Sequence, residues 1–370
     1  MNDLKGVTAA SEPLVAQKLH SVGRKLGIPV AGTFELTAGC NFNCEMCYIH
    51  NKNAVPRTNG ELTAAQWLEI GKQAADAGTV FLLLTGGEPL LRPDFEEIYT
   101  GLKQMGMMIT VNTNGALLTG KTAALFEKSP PVRLNVSLYA DNREGYLRQC
   151  GVDAFDLVLG NIRRMRENGV EVKLNVSFTK YNADRCAELA ALARELDLHC
   201  QASFYMYPPV RRTDDAAKDA RLSPAEAAKK RVWWNLQRSG VDELMQTKEL
   251  LQKLSQRECE DDGIPTEGVR CRAGHTSYWI NAAGQMLMCG MISKECGNVL
   301  AEGFDRCWQN TRALMRSVTM PAKCTVCGLR PICSVCPAAC FAETGGFTEA
   351  PPYLCEMSRA AAREISEIKK

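Results

Sequence analysis

The chain has no run of the roughly 18 uninterrupted apolar residues that a membrane span needs. Its first residues, MNDLKGVTAASEPLVAQKLH, also lack the apolar core of a secretory signal. These two absences argue against an anchored or exported product and predict a cytoplasmic protein with no membrane partner. A bias of charge is missing too. Forty-four basic residues against 42 acidic ones leave a net charge of +2, which gives no electrostatic reason to expect nucleic acid. Core material is not lacking, because 45% of the 370 residues are apolar. That excludes a disordered chain and allows one large barrel with an appended module.

Against this background the 17 cysteines stand out. The cytosol is reducing, so metal binding or catalysis is a better use for them than disulfides. Three are close together as Cys40-x3-Cys44-x2-Cys47, and ten lie from Cys271 to Cys355. Cys150, Cys186 and Cys200 stand singly and read as small buried apolar side chains. Three thiolates on a short loop suit an iron–sulfur cluster with its fourth iron left open. Zinc, which wants four closed ligands, is the alternative, with His50 nearby.

A strand-like run from Ile28 to Thr37 delivers the chain into the cysteine loop. Thr79–Thr85, TVFLLLT, is almost continuously apolar and predicts a strand buried on both faces of a parallel sheet. Further strands are expected over 107–112, 132–138, 170–178 and 199–205. They alternate with helices over 62–77, 95–105, 122–128, 155–168 and 184–196. Six such units argue for parallel strands with right-handed crossovers. The expected fold is therefore α/β, a partial (β/α)6 TIM-type barrel with active residues at the C-terminal ends of its strands. Residues 1–29 read as a lead-in, 30–206 as the barrel and 207–265 as a helical bridge. Residues 266–370 read as a cysteine-rich module that bound metal would staple.

The cysteine spacing and Gly86-Gly87-Glu88-Pro89, after the second strand, together resemble the radical S-adenosylmethionine (radical SAM) enzymes. The resemblance implies a [4Fe–4S] cluster on Cys40, Cys44 and Cys47 with SAM chelated to its open iron. Reductive cleavage then yields a 5′-deoxyadenosyl radical that takes hydrogen from a substrate. It further implies that Gly86, Gly87, Glu88 and Pro89 receive the amino group of the methionine moiety and that Tyr48 packs near adenine. Asn112, Asn114 and Ser137, at the ends of the third and fourth strands, would contact the cofactor, and Arg148 would lie near its carboxylate. Tyr139 stands where many relatives have aspartate. The residue types agree with this, since glycines permit close approach of a ligand and a carboxylate accepts hydrogen bonds from an ammonium. A reducing partner of flavodoxin or ferredoxin type is implied as well.

Cys271, Gly284-x4-Cys289, Cys324-x2-Cys327-x5-Cys333-x2-Cys336-x3-Cys340 and Cys355 resemble the SPASM domain, which usually holds two auxiliary [4Fe–4S] clusters. The resemblance implies that Cys324, Cys327, Cys333 and Cys355 hold the outer cluster. Cys271, Cys289 and one of Cys336 or Cys340 would belong to the inner one, completed by Cys259 or left with an open iron. Two zinc ions are the alternative, and Cys296 and Cys307 receive no role. Such relatives point to an oxidoreductase-type peptide maturase that crosslinks a ribosomally made peptide (thioether or carbon–carbon) or oxidises it. Gly290 replaces the aspartate base of sulfatase-maturating relatives, which argues against formylglycine formation. About forty residues precede Cys40, too few for a leader-recognition domain, so a separate leader-binding protein is expected. Tailoring of a haem precursor or another small molecule is the alternative activity, and iron–sulfur electron transfer the alternative of another class.

Overall fold

The computed structural model describes residues 14–49, 60–210, 216–255 and 271–369; His50 and Cys259 lie outside them. Helix α1 (Leu14–Leu26) leads into strand β1 (Ala31–Glu35). Then come α2 (Ala64–Asp76), β2 (Phe81–Thr85), α3 (Phe95–Gln104), β3 (Met108–Thr113), α4 (Gly120–Lys128) and β4 (Arg133–Ser137). The series continues with α5 (Arg143–Cys150), α6 (Phe155–Glu167), β5 (Val172–Ser177), α7 (Cys186–Glu195) and β6 (His199–Ser203). Neighbouring strands pair in parallel in the order β6-β5-β4-β3-β2-β1, as the alternating pattern predicts. Helix α5 was not anticipated. The Asn142 side chain caps its start by accepting from Gly145 N at 2.9 Å, and Gly151 ends it in the left-handed region, φ 73°.

Past α8 (Pro224–Ser255), a long helical segment interrupted at Gly240 with φ 80°, the chain returns to the same sheet. Strand β7 (Ser277–Ile280) pairs in parallel with β1, and β8 (Gln285–Leu287) and β9 (Glu295–Asn298) add on antiparallel to make nine strands. Strand β1, which feeds the cysteine loop, is thus clamped between β2 and β7 rather than left at an edge. Helices α9 (Phe304–Ser317), α10 (Pro337–Thr344) and α11 (Pro352–Glu367) complete the fold, with α11 packed along α8.

The two faces of the sheet differ. Phe34, Leu84, Val111, Val136 and Leu174 are buried against helix residues such as Trp67, Ile70, Ile98 and Phe126. The alternate residues Thr33, Thr110, Asn112, Asn135, Lys173 and Asn175 point the other way and are only half-buried. The expectation that TVFLLLT is buried on both faces is corrected here: Leu82 and Leu84 are buried, while Phe81 and Leu83 are half-buried. A closed TIM barrel fills its interior with layers of branched apolar side chains. This partial barrel instead presents a concave and largely polar cleft, with Phe81, Leu83 and Trp279 as its apolar part.

Candidate active site

The cysteine loop leaves β1 and is held from two sides. On one side, Gly87 N donates to Thr37 O and Glu88 N to Gly39 O, each at 2.8 Å, so the turn after β2 runs against the loop backbone. A Cβ on Gly87 would lie 2.2 Å from Gly39 O, and one on Gly86 would lie 2.6 Å from Thr37 O. The glycine pair is therefore required by contact between two backbones, beyond any ligand. On the other side, Asn43 N donates to Cys150 O at 2.9 Å and Glu45 N to Gln149 O at 3.0 Å, tying the loop to the end of α5.

Glu88 is fully buried. Its Oε1 accepts from Leu90 N at 3.0 Å, capping the turn that begins at Pro89, and Thr113 Oγ1 donates to the same carboxylate at 2.9 Å. Oε2 accepts from Asn114 N at 2.7 Å. Burial pushes this carboxyl up to about 7 against the pull of those donors. Asn114 also reaches the loop, its Nδ2 donating to Asn41 Oδ1 at 2.8 Å and approaching Cys40 Sγ at 3.9 Å. The ends of β2 and β3 and the cysteine loop thus form one hydrogen-bonded unit.

Cys40 Sγ accepts from Phe42 N at 3.4 Å. Burial pushes this thiol up to about 12, and Glu88, Cys44 and Cys47 act in the same direction. The Cys44 thiol is raised by its hydrogen bond to Cys150 and by burial. Thiols so placed become thiolates only beside a cation, and coordination to metal deprotonates a thiol outright. Among the described residues no three ligand-type side chains converge on a point as a single ion requires. The loop thiols lie within electrostatic reach of one another, and three thiolates are the donor set that a [4Fe–4S] cluster with one open iron would take.

The other expected residues are placed as follows. Ser137 ends β4, with the Tyr139 hydroxyl bonded to it. Asn112 accepts from Asn135 Nδ2 at 2.8 Å within the cleft. Tyr48 O accepts from Val210 N at 3.0 Å. Arg148 is exposed on α5, its guanidinium 5.0 Å from the centre of the Tyr181 ring.

The C-terminal cysteines form two groups. Cys271, Cys289 and Cys336 border one satellite core and lie within electrostatic reach of one another. Each sulfur accepts a backbone N–H, from Ala273 at 3.4 Å, Met291 at 3.5 Å and Ala339 at 3.4 Å respectively. The Tyr207 hydroxyl is 3.4 Å from Cys336 Sγ. Gly290 packs on the cleft residue Trp279, whose ring a Cβ would meet at 2.8 Å, so no larger side chain fits beside Cys289. Cys324, Cys327, Cys333 and Cys355 line one small cavity together with Arg330 and Arg359. Cys340 is completely buried within α10, near Cys324, Cys336 and Cys333. Of the two candidates for the inner group, Cys336 is the one within reach of both Cys271 and Cys289.

Residues 34–193 match the radical SAM superfamily. These residues form a radical SAM domain. It is 28% identical to an AdoMet-dependent heme synthase of Methanosarcina barkeri over 335 residues, covering 86% of this chain and 94% of that one. Its fold is shared with SuiB of Streptococcus suis bound to its precursor peptide SuiA, with a TM-score of 0.65 and 19% identity over 94% of this chain and 82% of the other. It is shared also with anSMEcpe bound to AdoMet, with a TM-score of 0.69 and 15% identity over 91% and 97% of the two chains. The radical SAM match over this segment implies a [4Fe–4S] cluster and SAM. No helix among the described residues is long and apolar enough to cross a membrane.

Sequence reasoning missed three features of this radical SAM site. Cys150 is buried, as a small apolar side chain would be, but its thiol is also hydrogen-bonded to that of Cys44. Helix α5 was legible in the capping pair Asn142 and Gly151. Tyr207, beside the double proline, carried no motif that would have marked it.

Proposed function

We propose that this chain is a radical SAM/SPASM enzyme whose substrate, a ribosomally made peptide, is crosslinked or oxidised in the polar cleft. The carrying observation is the shape of the half-barrel. Its strand ends hold the three-cysteine loop, its concave face is polar and half-open, and Trp279 links that face to Gly290 beside Cys289. In this reading Cys40, Cys44 and Cys47 hold the SAM-cleaving cluster. Cys324, Cys327, Cys333 and Cys355 hold an outer auxiliary cluster, and Cys271, Cys289 and Cys336 an inner one. The cluster on Cys40, Cys44 and Cys47, when bound, supplies one-electron cleavage of SAM and hence a radical able to take hydrogen. The protein's own part is positional. Asn114 and Glu88 fix the loop against β3, Gly86 and Gly87 keep two backbones in contact, and Ser137 and Asn112 line the strand ends where SAM would lie. The N–H groups of Ala273, Met291 and Ala339 stabilise negative sulfur at the inner group.

A second reading, tailoring of a haem precursor, is favoured by the identity to the heme synthase over 94% of that chain. The deciding experiment is anaerobic incubation of the reconstituted protein with SAM, a reductant and either a candidate peptide or a porphyrin precursor, followed by mass spectrometry. A peptide lighter by two hydrogens supports the first reading, and a modified porphyrin alone replaces it with the second. Iron loading without 5′-deoxyadenosine would leave only electron transfer.

A further inference from the structure

Two cations stand on the concave face away from the cysteine loop. Arg133 begins β4 and Lys173 is the second residue of β5. The register sets Asn135 opposite Lys173, so Arg133 is the diagonal neighbour of Lys173 on the same face. Leu134, Val136, Val172 and Leu174 are buried on the helix side, which turns Arg133, Asn135 and Lys173 into the cleft. Both cations are half-buried. Burial pulls Lys173 below its usual value, and the Arg133 guanidinium acts in the same direction.

No ion pair among the described residues engages either cation. Lys173 donates to the neutral Gln201 Oε1. Arg133 and Lys173 are diagonal like charges on one sheet face, within reach of each other for long side chains, and the Arg133 charge disfavours the charged form of Lys173, so the fold by itself gives no reason for the pair. Next to them Asn135 Oδ1 is buried with no hydrogen-bond partner among the described residues. A buried acceptor left unmet costs about 1–3 kcal/mol. Two cations outside any ion pair among the described residues and an unmet acceptor therefore share one polar cleft, with Glu171, the residue before β5, opposite Arg133 in the register.

We propose that Arg133 and Lys173 bind a carboxylate of the substrate, whose own N–H group is received by Asn135 Oδ1. This rests on the radical SAM reading and narrows its substrate to an acid. Ser137 lies four residues along β4 from Arg133, about 13 Å at the usual strand rise. The acid group is thus anchored a dozen or so ångströms below the strand ends where hydrogen is taken. An acidic side chain or C-terminus of a peptide spans that distance, and so does a carboxylate arm of a porphyrin.

The test is equilibrium binding to the reconstituted full-length protein. The probes are a glutamate-containing hexapeptide against its glutamine analogue, and a free-acid porphyrin against its methyl ester. One of the acids binds and its neutral partner does not, and that difference identifies the carrier. Arg133→Gln and Lys173→Gln each weaken binding of the acid roughly 10- to 100-fold, and Arg133→Lys retains more of it than Arg133→Gln. Thermal unfolding of the glutamine variants occurs at or above the wild-type temperature, because a like-charge contact is gone. The proposal is overturned if acid and neutral probes bind alike, if neither acid binds the wild type, or if the glutamine variants bind as the wild type does. Wild-type protein that forms no 5′-deoxyadenosine would instead sink the radical reading and leave the binding result to stand by itself.

Discussion

Cys40, Cys44 and Cys47 lie on a loop that the barrel grips from both sides, whereas Cys324, Cys327 and Cys333 lie on short segments with only local backbone bonds and are joined by Cys355 from α11. The first group is tied to the turn after β2 by Gly87 and Glu88 and to α5 by Cys150 and Gln149. The backbone bonds around the second are local: Cys324 N to Pro321 O, Arg330 N to Cys327 O and Cys333 N to Arg330 O. Its cysteines sit in a single-turn helix at Ala322–Thr325, beside a short turn at Arg330–Ile332, and in α11. On the proposed cluster assignments, the contrast teaches that a site with an open position needs a scaffold formed without it. A site with four thiolates can serve as the scaffold for the chain around it.

Breaking the comparison at the barrel end gives the largest expected effect. Alanine at Cys40, Cys44 and Cys47 reduces 5′-deoxyadenosine to background, yet leaves the thermal unfolding of the barrel within a few degrees of wild type. A collapse of the fold in that variant, seen by circular dichroism, would contradict the idea of an independent scaffold. At the other end, Cys324→Ala with Cys355→Ala removes about four irons per chain, the content of one cubane. It also makes the region beyond residue 320 open to trypsin while the barrel resists. Equal resistance of both regions would remove the distinction drawn here.

Gly87→Ala sharpens the comparison at intermediate cost. Its Cβ would meet Gly39 O at 2.2 Å, so backbone must move, with a loss of about 1–3 kcal/mol or more in denaturant unfolding. Gly346→Ala, where a Cβ meets nothing within 4 Å, is the control and loses far less.

A smaller effect concerns Glu88. Its carboxyl is raised by burial to about 7 in the folded protein, above the unfolded value near 4.5, so the folded state binds the proton more tightly. The stability of the iron-free protein therefore falls as pH rises from about 4.5 to about 7. Glu88→Gln flattens that slope, as measured by unfolding at several pH values. The same slope in both proteins would place the titration elsewhere. Least of all is Tyr207→Phe, which removes one hydrogen-bonding group from Cys336. About 1 kcal/mol of stability is lost, and with the inner cluster bound its potential shifts to more negative values in an EPR titration.

How much was legible in the sequence follows from the kind of pattern each feature leaves. Alternating apolar strands and amphipathic helices gave the six parallel strands, because burial against helices imposes that pattern. Motif spacing led to Cys40, Cys44, Cys47 and Gly86–Pro89. The four residues of β7 were too short to separate from loop, and their pairing with β1 depends on a return of the chain across the whole bridge. The polar cleft was written openly in Arg133-Leu-Asn-Val-Ser137 and Val172-Lys-Leu-Asn-Val-Ser177, which alternate with period two. Strands of a parallel sheet covered on both faces read as near-continuous apolar runs, so this alternation was the sign of an uncovered face. The burial of Cys150 was legible, but its hydrogen bond to Cys44 was not, since only the folded chain brings the two together.

The most direct test of the central claim is an iron and product count on anaerobically reconstituted protein. Wild type should hold about twelve irons per chain, as three cubanes require, and should form 5′-deoxyadenosine from SAM. Alanine at Cys40, Cys44 and Cys47 should lose about a third of that iron and all of the product. Unchanged iron, or product that persists in the variant, would contradict the assignment of the N-terminal loop.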